Sequence, residues 1–318
     1  PNACHIALDR RVARRLRATR QVRAVYCYDH AARDTFVAAR EQGATRIYDL
    51  PIGHWRVLRE ITAEERELQP AWAGTAPSTD FAPRVYDRKD EELLLADRIV
   101  VASSFSRETL KSFPQARAPV SVIAYGAPPA AAALAPPSPR GRPLRVLFVG
   151  HVGMRKGVAY LVEAVRRLGA AVELTLIGSK GGVDDALERS LPAHRWIASL
   201  AHAELLDEMG RHDVFVFPSL FEGFGLVILE AMSRGLPVIT TAHTAGPDLL
   251  TEGHDGFIVP LRCADAIAEH LELLAADRER LAAMRAAAWQ TARQRTWAAY
   301  RDGIVGECAA AIAAQVPT

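Results

Sequence analysis

Two kinds of pattern alternate along this chain. Short apolar runs bounded by Gly or Pro predict strands, and longer stretches with apolar positions every three or four residues predict helices. The alternation is most regular in the second half. Strands are predicted at 144–149 (LRVLFV), 172–177 (VELTLI), 213–217 (DVFVF), 237–241 (LPVIT) and 256–259, with helices at 156–168, 202–210 and 225–234. Strand, crossover helix, strand is the order of a parallel doubly wound sheet, whose strands are buried on both faces. The first half repeats it more weakly, with strands at 22–28, 45–49, 98–102 and 120–124 and helices at 31–42, 86–96 and 104–112. Residues 263–315 read as consecutive helices rich in Ala, Leu and Arg, a tail that could cover the second half or cross back to the first.

The two halves meet between Tyr125 and Pro143, where six prolines mix with alanine and no strand or helix pattern survives. The expected division is therefore a first domain over 1–126, a linker over 127–143 and a second domain over 144–318. A length of 318 residues suits two such domains.

Charge narrows the partners. With 39 basic and 37 acidic residues there is no whole-surface field for nucleic acid. The Arg-rich stretch 10–23 (RRVARRLRATRQVR) reads first as a solvated helix face, although Val12 and Leu16 at helical spacing would permit peripheral membrane contact. Cys4, Cys27, Cys263 and Cys308 form no close pair, which favours neither a zinc knuckle nor a disulfide framework and suits a reducing cytoplasm. No run of apolar residues is long enough for a membrane span, and the start is not a signal peptide.

Ligands of open parallel sheets bind beyond the carboxyl ends of the strands, so the residues directly after each strand carry the information. After 144–149 comes Gly150-His151-Val152-Gly153-Met154-Arg155-Lys156-Gly157, glycines and two cations beside a helix N-terminus, a combination suited to phosphate. Its spacing is neither GxGxxG nor a Walker A loop, and a tight turn with solvated basic residues is the equal alternative. After 213–217 the chain reads PSLFEGFGLVILEAM, with Glu222 in the loop and Glu230 eight positions on, inside the following helix. Gly223 and Gly225 would let the backbone approach a ligand, and the amides of Leu226 and Val227 would point at it. A carboxylate at Glu230 could accept two hydroxyl hydrogen bonds, as a ribose supplies.

Here the residues resemble a known family. PSLFEGFGLVILEAM resembles the Glu-x7-Glu signature of retaining glycosyltransferases of the GT-B class, family 4, and Arg155-Lys156-Gly157 resembles its phosphate-binding turn. ADRIVVASSFSRETL is similar to the segment ending that family's first domain, VSVIAYGA to the strand entering its linker, and GLPVITTAHTAGPDLLTEGHDGFIVP to the stretch after the signature. The resemblance implies a GT-B fold of two Rossmann-like domains with a cleft between them. It implies a nucleoside diphosphate sugar held mainly by the second domain and an acceptor glycan, lipid or small molecule held mainly by the first, with a hexose transferred with retention of configuration.

Residue by residue, it casts Lys156 as the diphosphate cation, Glu222 as the carboxylate holding donor-sugar hydroxyls and Glu230 as the ribose ligand. Gly150, His151 and Arg155 complete the phosphate turn, and Phe224, Gly225, Leu226 and Val227 offer backbone contacts. The family commonly has Arg where this chain has His151; either Arg155 compensates or one fixed cation suffices. It often places a His near the reacting carbon, and Asp49 or His54 in the matching segment YDLPIGH would fill that place. No Asp-x-Asp triplet exists to clamp a divalent ion, so catalysis without a metal or cofactor is expected. The family's first domain normally opens with a strand and a glycine-rich turn, whereas this chain opens at Pro1 with a helix-like stretch, so an N-terminal truncation is expected.

Other readings compete. A sugar epimerase or a phosphorylase shares the architecture, and a catalytically inactive sugar-nucleotide-binding relative is the alternative from another class; Lys156, Glu222 and Glu230 weigh against it, His151 and the opening at Pro1 for it. His202, His212, His243 and His254 read as polar surface residues, Trp289, Trp297 and Tyr300 as packing anchors, and Asp184 and Asp185 as a helix N-terminal acid pair. Contacts to the donor base are expected around Ser199 to Ala201.

Overall fold

The computed structural model describes residues 2–19, 21–180 and 185–314 and shows two compact α/β units. In the first unit β1 (Ala24–Tyr28), β2 (Thr45–Leu50), β3 (Arg98–Val101) and β4 (Val120–Val122) form a parallel sheet in that order. Helices α1 (Asn2–Ala18), α2 (Arg33–Glu41), α3 (Trp55–Leu68), α4 (Pro83–Leu95) and α5 (Ser104–Thr109) lie between and around them in sequence. Alternation along the strands divides the core: Tyr48, Leu50, Ile99 and Val101 join Phe36 and Leu93 in one cluster, while Ile47 and Val100 join another. Buried carboxylates tie the helices together. Asp9 on α1 accepts from the Asp34 and Thr35 amides, both at 2.8 Å, and Glu92 on α4 accepts from those of His30 at 2.8 Å and Ala32 at 3.1 Å. Between them they satisfy the free amides at the start of α2.

The second unit holds a six-stranded parallel sheet of β5 (Leu144–Val149), β6 (Val172–Ile177), β7 (Arg195–Ile197), β8 (Val214–Phe217), β9 (Val238–Thr241) and β10 (Gly256–Val259), in the order β10-β9-β8-β5-β6-β7. Its helices are α6 (Val158–Leu168), α7 (Asp185–Ser190), α8 (His202–Met209), α9 (Leu226–Ser233), α10 (Gly246–Leu249), α11 (Ala264–Ala276) and α12 (Arg278–Gln294). The last helix, α13 (Trp297–Ala313), returns to the first unit, where Ala311, Ile304 and Cys308 pack with Ile47 and Val100. Of the two courses open to the tail, α13 takes the second.

The units depart from the expected division at 126 and 144. Leu58–Ser78, from the first half of the sequence, belongs to the second unit, and the chain from Ala298 belongs to the first. The expected linker is no free tether either. Within the second unit Ala131 donates to the Ser233 carbonyl at 2.9 Å, Trp289 Nε1 to that of Ala131 at 2.9 Å and Arg285 to that of Ala135 at 3.1 Å. Proline removes helix and strand hydrogen bonding but leaves carbonyls as acceptors, so a Pro-rich strap can still be pinned. Trp289 is thereby the packing anchor expected of it.

Three predicted strands, 144–149, 172–177 and 256–259, have those bounds, and the other predicted elements fall within about two or three residues of the observed ones, the usual uncertainty of ends. The patterns missed α3, α10 and β7, while the acid pair at 184 and 185 marked the start of α7 (Asp185–Ser190). Asp184 lies outside the described residues, beside the start of α7. Among the described residues no helix is long and apolar enough to cross a membrane. On α1, Leu16 is buried with Ala13 against Ala38 and Ala39, while Leu8 and Val12 are exposed, so Val12 and Leu16 do not share one solvent-facing stripe.

Candidate functional site

Strand order positions the site. From β5 the chain goes outward to β6 and β7, then returns to lay β8 on the other flank of β5. This reversal is where ligands enter open parallel sheets, and it sets the turns after β5 and β8 side by side.

The first turn winds a 3-10 segment, Met154–Lys156, and then enters α6 through Gly157. Gly157 has φ of 67°, and a Cβ there would lie 2.1 Å from the Pro218 carbonyl oxygen, so both conformation and space demand glycine. The second turn answers the first: Leu220 donates its amide to the Arg155 carbonyl at 2.9 Å, and Arg155 Nη1 donates to the Phe221 carbonyl at 2.7 Å. The loop ends at Gly225, φ 86°, from which α9 starts. Leu226 and Val227 occupy the first turn of α9, where amides have no partner within the helix.

Lys156, Arg155 and Glu222 converge. The Lys156 ammonium meets Glu222 Oε2 and lies 4.6 Å from the centre of the Phe217 ring, and Arg155 Nη1 reaches the same oxygen at 3.3 Å. Lys156 is only 9% exposed, and burial pushes its ammonium below the ordinary lysine range; Glu222 pulls it up and Arg155 depresses it further. The result is a desolvated cation beside helix amides, an arrangement that favours an anion. His151 bonds Ser179 Oγ at 3.1 Å through Nδ1; partial burial first, then Arg155 and Lys156, lower its pKa and disfavour its cationic form. Gly150 donates its amide to the Ile177 carbonyl at 2.8 Å.

Glu230 extends the site along α9. Its Oε1 lies 3.0 Å from Nε2 of His202, the first residue of α8 and next to Ser199–Ala201. Phe224 is buried, its carbonyl taken by the Ala245 amide at 2.9 Å and its ring edge-on to Tyr125 at 5.1 Å. Its carbonyl is therefore committed to the protein, while the amides of Leu226 and Val227 lie in the first turn of α9 without a partner in the helix.

The first-unit candidates sit differently. Asp49 is 3% exposed in β2 and accepts from the Tyr26 hydroxyl at 2.7 Å; burial raises its pKa against the lowering by Tyr26 and Tyr28. His54 is 2% exposed and stacks on Phe113 at 5.4 Å, with Nδ1 3.2 Å from Ser112 Oγ and Nε2 3.3 Å from Asp90 Oδ1, out of line for a hydrogen bond. Burial outweighs the pull of Asp90 and sends its pKa down to about 4. Both side chains are buried among partners of their own unit, Tyr26 for Asp49 and Phe113, Ser112 and Asp90 for His54.

Two site neighbours escaped the sequence reading. His202 is the exposed polar residue expected of it, yet it lies beside Glu230, and its only signal for that is its position after the strand-to-helix turn 198–201. Thr75 accepts the Met154 amide at 2.9 Å, from a segment with no recognised pattern. His212, also read as a surface residue, is buried, with Nδ1 2.9 Å from the Glu208 carbonyl.

Residues 143–277 match the family described as Glycosyl transferases group 1. Glycogen synthase of Mycobacterium tuberculosis (strain CDC 1551 / Oshkosh) is 30% identical over 219 residues, covering 66% of this chain and 51% of that protein. The chain thus spans about half the length of these curated relatives. Sucrose-phosphate synthase from Thermosynechococcus elongatus superposes with a TM-score of 0.69 at 20% identity, over 92% of this chain and 74% of that one. HepE of Anabaena in complex with UDP does so with a TM-score of 0.68 at 17% identity, over 94% and 82%. At such identities the likeness establishes the fold, two Rossmann-like parallel-sheet units of the GT-B type.

Proposed function

We propose that this chain, which carries a group 1 glycosyltransferase domain on a GT-B fold, is a retaining transferase of the family 4 kind that moves a hexose from a nucleoside diphosphate sugar to a glycan, lipid or small-molecule acceptor. The observation that carries the reading is the convergence of buried Lys156 and Arg155 on Glu222 beside the first-turn amides of α9. Breaking the bond between the anomeric carbon and the diphosphate develops negative charge on the leaving phosphate and oxocarbenium character on the sugar. Lys156 and the amides of Leu226 and Val227 stabilise the first, and Glu222 accepts hydroxyls of the donor sugar. With the cationic form of His151 disfavoured, Arg155, which reaches Glu222 beside Lys156, supplies the second positive charge at the phosphate. Glu230 takes the ribose hydroxyls, and the backbone of Ser199–Ala201 meets the base.

Two cations at the phosphate end take the place of a divalent ion in this reading, so transfer proceeds without one. The exposed Leu8 and Val12 among the arginines of α1 would support peripheral contact with a membrane.

The test is turnover of UDP-, GDP- and ADP-hexoses by the purified chain, with the product's anomeric configuration read by NMR. Transfer with retention, undiminished by chelator and lost in Glu222→Ala and Lys156→Ala, is the expected result. Wild-type turnover in both variants would overturn the site assignment, and an inverted product would overturn the retaining mechanism.

A further inference from the structure

The excursion Leu58–Ser78 lies far in sequence from the phosphate turn yet belongs to the same compact unit. It is held at two places that flank Lys156. Thr75, 3% exposed, takes the Met154 amide at 2.9 Å, while its hydroxyl donates to the Trp72 carbonyl at 2.8 Å. A hydroxyl has one proton, and with that proton spent on Trp72 it acts toward Met154 only as an acceptor. The approach is close, since a Cβ at Gly153 would lie 3.0 Å from the Thr75 carbonyl oxygen.

The second anchor is Glu65, 2% exposed, which accepts from the Tyr160 hydroxyl at 2.8 Å and from Arg262 Nε at 2.7 Å. Arg262 also reaches Glu64 at 2.8 Å and holds a left-handed φ of 59°, unusual for arginine. Tyr160 lies in the first turn of α6. One anchor therefore grips the residue that opens the 3-10 turn, the other the helix after it, and Lys156 lies between.

We infer that Thr75 is a positioning residue for the diphosphate site, with Glu65 holding its segment in place; the inference rests on the phosphate reading of the turn. The Met154 amide heads the turn whose third residue is Lys156. Committing that amide to Thr75 orients the peptide planes of the turn and the base of the lysine side chain. A lysine stem is flexible, so where its ammonium lies depends on the backbone beneath it. Thr75 thus acts on the ligand through Lys156 without touching it.

Thr75→Val keeps the side-chain shape and removes the acceptor; Thr75→Ser keeps the acceptor. Each is titrated with UDP, GDP and ADP by calorimetry, and amide hydrogen exchange over residues 150–160 is followed without nucleotide. Thr75→Val should weaken the nucleotide bound by the wild type about five- to tenfold and speed exchange from Met154 to Gly157, while Thr75→Ser stays within about twofold. Wild-type affinity and exchange in Thr75→Val would overturn the inference, as would an equal loss in Thr75→Ser, which would make shape the cause. A wild-type chain that binds none of the three nucleotides defeats the phosphate reading instead, and exchange then decides alone whether Thr75 fixes the turn.

Discussion

Strands β5 and β8 lie side by side, and each end of the pair brings a carboxylate up to cations, with opposite outcomes. At the amino end Asp213 is fully buried and both its oxygens are consumed. Oδ1 accepts from the Ser138 amide at 2.9 Å and Arg145 Nη2 at 2.8 Å; Oδ2 accepts from Ser138 Oγ at 2.7 Å and the Arg145 amide at 2.9 Å. Arg285, also buried, spends itself on the carbonyls of His212 at 2.6 Å and Ala135 at 3.1 Å. At the carboxyl end two cations share a single oxygen of Glu222, beside helix amides that lack internal partners. The Asp213 carboxylate at the first end is balanced by donors that the protein itself fixes on both oxygens. At the second, one carboxylate oxygen holds both cations and the first-turn amides of α9 have no partner within the helix, so donors are left over in a partly desolvated place, an arrangement that suits an anion.

The contrast can be broken first at its structural end. Asp213→Ala strands the Arg145 guanidinium and the Ser138 hydroxyl and removes the negative charge near buried Arg285, and should lower stability by about 3–5 kcal/mol in urea unfolding while leaving nucleotide affinity of the folded fraction unchanged. Lys156→Ala should do the reverse. Turnover falls on the order of 10²- to 10³-fold in a transfer assay, and the unfolding free energy moves by about 1 kcal/mol or less.

A smaller effect sharpens the balanced end through pH. Burial pushes the Asp213 carboxyl up, but its hydrogen bonds from Arg145 and Ser138 win and hold it at about 2. A depressed carboxylate stabilises the fold above its unfolded value, and that stabilisation disappears as pH falls through the folded value. About 2 kcal/mol should therefore be lost between about pH 4 and pH 2, and Asp213→Asn should flatten this part of the profile. The smallest effect lies at the ligand end. His202→Ala frees Glu230 from its imidazole and should weaken nucleotide binding about two- to fivefold with turnover at saturation unchanged.

Much of the second unit was legible in the sequence because its strands are largely buried on both faces: LRVLFV and VELTLI are mostly apolar, each carrying a charged residue only at its second position, and have the predicted bounds. The phosphate turn and the Glu222 loop came from those strand ends, and the structure brings them together. The excursion was illegible for a definite reason. Trp55, Leu58, Ile61 and Leu68 do recur at helical spacing on α3, but its fully buried positions are the polar Thr62 and Glu65, the latter bonded to Tyr160 and Arg262, and no local pattern tells that such a carboxylate turns inward. Strand β7 is three residues long and largely exposed, and α10 opens on Gly-Pro, which reads as a loop. The burial of His54 depends on Phe113, Ser112 and Asp90, residues distant in sequence whose meeting no local pattern announces.

The assignment of Leu58–Ser78 to the second unit and of α13 to the first also governs how the protein can be divided. A recombinant fragment started at Leu144 would lose the Thr75 and Glu65 anchors and the strap residue Ser138. It would keep α13, whose Ile304, Cys308 and Ala311 would have no sheet to cover. A chimera that exchanged only the chain beyond the prolines would mismatch the same pieces. The exchangeable module is discontinuous, Leu58–Ser78 together with Tyr125–Trp297, and recombination experiments on this chain have to move both segments at once.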